Sequence, residues 1–121
     1  MQLANATATR NEPIGAGRRP CGAPIDLVHL TRQSFGDASL EQEILRLFAA
    51  QTRFHVERLR TAASKMDRDM AIHTLLGSAR GVGATLLAEA LRGLRDGEGS
   101  VTDACREAER AADYAQSLVE D

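Results

Sequence analysis

Large rings are almost missing from this chain: its 121 residues include no Trp, one Tyr and three Phe. A core without them must be assembled from Leu, Ala, Val and Ile, which favours closely packed helices over a sheet sandwich. No β-branched run alternates cleanly enough to read as a strand. The expectation is an all-α fold. Proline occurs only at positions 13, 20 and 24, so nothing beyond Pro24 breaks a helix. The two cysteines have different settings, Cys21 in a Pro/Gly-rich stretch and Cys105 at an apolar helical position, which argues against a framework disulfide. Cys105 reads as a small hydrophobe.

Long apolar runs are missing too. None approaches the roughly 18 residues that would suggest a membrane span. Met1 to Thr9 has neither a basic start nor an apolar centre, so it does not read as a secretory signal and a cytoplasmic location is expected. An excess of positive charge is also lacking, with 15 basic residues against 17 acidic ones and a formal net charge of −2. That balance, with so few rings for base stacking, excludes nucleic acid as an expected partner. The length suits one domain with a real core.

Residues 1–24 hold all the prolines, Gly15, Gly17 and Gly22, and few large apolar side chains, the composition of a flexible tail. The domain is expected over residues 25–121. Asp26 is positioned to cap a short helix, Leu27 to Phe35, laying Leu27, Leu30 and Phe35 across the end of the fold. Ser39, with Gln42 three residues on, matches a capping box opening the longest helix. Its stripe is Leu45, Phe48, Thr52, Val56, Leu59 and Ala63, and its end is placed near Lys65. Asp67 or Asp69 then caps a helix carrying His73, which the glycines at 81 and 83 terminate. A further helix from Ala84 to Arg95 buries Leu87, Ala90, Leu91 and Leu94. Asp96-Gly97-Glu98-Gly99 marks a turn, and Ser100 or Thr102 caps a last helix with a seam of Val101, Cys105, Ala108, Ala112, Ala115 and Val119. Four such helices joined by short links pack most simply as an antiparallel up-down-up-down bundle, with the short helix as an N-terminal extra.

The most informative stretch runs from His73 to Ala84. At about 100° per residue, Arg80 falls about 20° from His73 and Gly77 about 40°. Ala71, Leu75, Ser78 and Val82 fall on the opposite side, a small and apolar stripe that seeks a core and turns His73 to solvent. Gly77 leaves bare backbone beside the ring. Ile72 and Leu76 read either as an exposed apolar shoulder for docking a partner or as side chains tucked against a neighbouring helix.

The residues His73, Leu75, Gly77, Ser78, Arg80, Gly83 and Ala84 resemble the signature of histidine-containing phosphotransfer domains, approximately His-x-Leu-Lys-Gly-Ser followed by a basic or polar residue and Gly-Ala. Leu76 departs from it, standing where the family usually carries Lys. The resemblance implies a four-helix bundle over residues 25–121 in which His73 accepts a phosphoryl group. The donor would be the receiver domain of a hybrid sensor histidine kinase and the acceptor the receiver of a response regulator. It implies a monomeric carrier without turnover of its own and with no cofactor of its own, the Mg²⁺ belonging to the partner receiver. Ile72, Leu76, Gly77 and Arg80 would support docking, with Arg80 placed to meet phosphoryl oxygens or a partner's acidic pocket.

Other chemistry finds little support. Neither His29 nor His55 has a second ligand at useful spacing, so no metal site is expected. Ser78 falls on the buried stripe and reads as structural rather than nucleophilic. The glycines at 81 and 83 are not followed by the Lys of a phosphate-cradling loop. Two rival readings stay open: a degenerate module of the same fold, kept open by Leu76, that binds a kinase or receiver without transfer, and a plain helical interaction protein pairing through its Ala-rich last helix.

Overall fold

In a computed structural model of the chain, residues 23–119 are described. The expected tail, apart from Ala23 and Pro24, lies outside them. The described residues form α1 (Leu27–Gln33), α2 (Ala38–Arg60), α3 (Lys65–Val82), α4 (Thr85–Arg95) and α5 (Val101–Leu118), with no strand among them. The all-helical expectation holds.

Helix starts follow capping chemistry, though not always at the residues expected. The Asp26 carboxylate accepts hydrogen bonds from the Val28 and His29 amides at 3.0 and 3.2 Å, which opens α1 as foreseen. For α2 the cap is Asp37 rather than Ser39, accepting from the Leu40 amide at 3.1 Å. The expected capping-box partner is committed elsewhere, because Gln42 Nε2 donates to the Leu118 carbonyl at 3.0 Å and ties the start of α2 to the end of α5. α2 stops at Arg60, so Ala63 lies outside it and is exposed. Ser64, not Asp67 or Asp69, caps α3, its Oγ accepting from the Asp67 amide at 3.1 Å. This start places Asp67 in the first turn, where the helix dipole favours an acid, and lets Lys65 pair with Asp69 one turn on at 2.7 Å.

α1 is shorter than expected, and of Leu27, Leu30 and Phe35 only Leu30 is buried. Phe35 sits past the helix with φ of 55° and 91 % exposed. The buried position belongs to Ser34, whose hydroxyl donates to the Thr31 carbonyl at 3.1 Å and reaches the Glu41 carboxylate at 3.3 Å.

α2 packs against α3 and α5, α4 packs against the same two helices, and α1 lies on α3. The core fills the space these helices enclose, with Phe48 its largest side chain and Leu45, Val56, Leu59, Leu75, Leu87, Leu91 and Leu94 around it. α5 meets it with Ala104, Cys105, Ala108, Ala111, Ala112 and Ala115, all buried, so its backbone can approach α2 closely. Arg53 pairs with Asp113 at 2.8 Å and Arg60 with Glu109 at 2.7 Å, so with the Gln42 contact α2 and α5 run in opposite directions. These pairs are solvated and set register more than stability. No helix among the described residues is long and apolar enough to cross a membrane.

Leu91 is fully buried and Leu86 is 41 % exposed on the same helix. Leu91→Ala should lower unfolding free energy by about 2–5 kcal/mol in urea titrations, while Leu86→Ala should change it by no more than about 1 kcal/mol.

Candidate functional site

α3 buries a wider arc than its sequence stripe suggested. Ala71, Leu75 and Val82 are in the core as read, Ser78 is only half-buried, and Ile72, Leu76 and Ala79 are buried with them. Ile72 is 1 % exposed and Leu76 is 4 % exposed, so they form no apolar shoulder for a partner. The cause is that α3 packs on three elements, α1, α2 and α4, and its apolar arc must widen to meet all of them. The assignment of Ile72 and Leu76 to a docking surface is therefore corrected: they hold the helix in place.

Anchoring that arc leaves the opposite face open. His73, Gly77, Arg80 and Gly81 are exposed along it. Beyond its chain neighbours and the backbone of its own helix, nothing among the described residues lies within 4 Å of where a Gly77 Cβ would stand, so the backbone one turn beyond His73 is uncovered. A glycine inside a helix costs roughly 0.5–1 kcal/mol relative to Ala, and nothing in the packing here requires it. Gly77 thus leaves this backbone uncovered at a small cost in helix stability.

The apolar surface next to His73 comes from the turns before it. Met66 and Met70, 72 % and 62 % exposed, line a shallow groove of about 480 Å³ with Lys65, Asp69, His73 and Thr74. The sequence reading overlooked both methionines. The signal was present in their spacing, seven and three residues before His73, which places them on its face. The expected capping role of Asp69 is likewise replaced, since its carboxylate lies in this groove paired to Lys65. Lys65 is the one cation lining the groove among the described residues, because position 76 carries a buried Leu.

Arg80 lies further along the helix and lines a separate hollow of about 230 Å³ with Asp26, His29, Gly83, Thr85 and Arg92. Its guanidinium borders the junction of α1, α3 and α4, not the groove of His73. That junction is built on Gly83, which ends α3 with φ of 76° and whose carbonyl accepts from the Asp26 amide at 3.0 Å. Gly81, expected to share in ending the helix, remains helical.

The remaining candidates stay apart from this face. His55 on α2 is half-buried, its ring edge-on to Phe54 at 5.0 Å between centroids, and its Nδ1 is buried without a hydrogen-bond partner among the described residues. Cys105 is buried, and desolvation pushes its thiol above the usual range, so it stays protonated and inert. No group of three His, Cys, Asp or Glu able to hold a metal occurs among the described residues.

Gly77 inside α3 and Gly83 at its C-cap should respond in opposite directions. A Cβ on Gly83 would stand 3.0 Å from the Asp26 Cβ and 3.1 Å from the His29 Cβ, in a backbone conformation that side chains disfavour. Gly83→Ala should cost about 1–3 kcal/mol, whereas Gly77→Ala should add roughly 0.5–1 kcal/mol, both read from urea midpoints at constant slope.

Comparison of the chain with protein-family models, curated proteins and solved structures finds no match to any of them.

Proposed function

We propose that this protein is a histidine phosphotransfer module, carrying a phosphoryl group on His73 between the receiver domain of a hybrid histidine kinase and that of a response regulator. The observation that supports this reading best is the open face of α3, where His73 and the uncovered Gly77 backbone stand opposite a fully anchored apolar arc. The matches at Leu75, Ser78, Gly83 and Ala84 support it as well, and Leu75 and Ala84 lie in the core that holds the presenting helix.

In this reading α2 to α5 form an antiparallel up-down-up-down four-helix bundle and α1 lies across it. The protein acts in the cytoplasm as a monomer. An unprotonated ring nitrogen of His73 attacks the phosphorus of an aspartyl phosphate; the N–P bond forms as the acyl P–O bond breaks, and the donor carboxylate leaves. The partner receiver supplies the aspartate and its Mg²⁺. This chain supplies a ring in a fixed direction, which removes orientational freedom from the encounter. It has no turnover of its own, and transfer runs in either direction.

A second reading, a module of the same fold that binds a receiver without transfer, is favoured by one observation. Among the described residues the one cation lining the groove of His73 is Lys65, which is paired with Asp69. The two readings separate when the purified protein is mixed with a phosphorylated receiver and Mg²⁺ and examined by mass spectrometry without acid. The carrier reading predicts one phosphoryl group on the wild type, none on His73→Ala, and retention on His29→Ala and His55→Ala. Binding without label across a panel of receivers, or signalling preserved by His73→Gln in a reporter strain, contradicts it.

A further inference from the structure

The chain has three methionines, Met1, Met66 and Met70, of which Met66 and Met70 lie among the described residues. Both stand exposed in the groove of His73, and neither belongs to the core. The other large apolar side chains exposed among the described residues are Leu, Val and Phe. Among the described residues the thioethers are therefore confined to two consecutive turns of α3 leading to His73, where a partner reaching that ring would cover them. An aspartyl phosphate cannot approach that ring without its own protein surface descending on the adjoining turn.

We propose that Met66 and Met70 are an oxidation site controlling access to His73, with peroxide or a hypohalous acid as the oxidant; the inference rests on the carrier reading given above. In the peroxide case each thioether sulfur takes one oxygen atom, the peroxide O–O bond breaks, sulfur is oxidised to the sulfoxide and the peroxide is reduced to water. The apolar floor of the groove becomes a pair of strong dipoles, and a receiver surface that was dehydrated against it must now desolvate them. Since both side chains stand outside the core, the fold is untouched and the change is confined to docking. Reduction of the sulfoxides by methionine sulfoxide reductases reverses it.

The test treats the full chain with hydrogen peroxide, counts sulfoxides by peptide mass, and measures the rate of phosphoryl transfer from a receiver before and after. Transfer should slow at least about tenfold at unchanged helical circular dichroism, a loss equivalent to about 1.4 kcal/mol of docking energy. Reductase should restore it. The Met66→Leu/Met70→Leu variant, its rate compared only with its own untreated rate, should transfer equally fast before and after peroxide. A variant that loses activity in peroxide as the wild type does assigns the effect to another residue, Cys21 included, and overturns the proposal. Equal rates for oxidised and reduced wild type also overturn it. Reduced protein that accepts no phosphate from any receiver defeats the carrier reading itself, and the docking role of the groove with it.

Discussion

Burial of one arc of α3 is the constraint on which the rest of the arrangement depends. Ala71, Ile72, Leu75, Leu76, Ala79 and Val82 are all withdrawn from water, against α1, α2 and α4. A helix gripped on so wide an arc cannot roll about its axis without exposing several of these side chains, at roughly 25 cal/mol for each Å² of apolar surface returned to water. The direction of His73 is thereby fixed by residues that never touch it. The glycine at 83 and the α1 contact on it stop the helix from extending into α4, and Ser64 sets its other end.

The same burial determines the charge around the site. A lysine at position 76 would have to carry its ammonium out past the edge of the packed arc, whereas Leu76 completes the arc and is 4 % exposed. The result, among the described residues, is a groove lined by two thioethers and by one cation that is paired to Asp69. Arg80 stands at another hollow, beside Arg92 and His29. In the carrier reading, most of the charge compensation during transfer then falls to the partner and its Mg²⁺, and the surface of this chain contributes shape and apolar contact.

The helical class was legible because the sequence offers little with which to build a sheet, and helix existence because prolines stop at position 24. Most of the core of α2 and α5 followed from period, but Ala63 is exposed, Val101 and Val119 are only partly buried, and Ala49, Ala104 and Ala111 join because neighbouring helices bury a broader arc than a single stripe. Boundaries were harder. Asp37 competes with Ser39 as a cap, Ser64 with Asp67 and Asp69, and the outcome turned on where Gln42 and Lys65 find partners, which are tertiary and one-turn contacts that a cap pattern does not encode. At the site, the exposure of His73 and Gly77 was readable from the helical wheel. The burial of Ile72 and Leu76 was not, because it depends on α1 lying on α3, and a wheel carries no information about how many neighbours a helix has. Met66 and Met70 belong to no motif, and only their helical spacing before His73 puts them on its face.

The most direct measurement of the central claim uses the three histidines of the chain as controls for one another. The protein is phosphorylated chemically with phosphoramidate, each phosphohistidine is assigned by ³¹P and ¹H NMR, and an unphosphorylated receiver domain with Mg²⁺ is then added. The account predicts that phosphate on His73 is discharged to the receiver, while any on His29 or His55 is left in place. Phosphate that leaves all three at the same rate, or remains on His73 while the receiver binds, would contradict it.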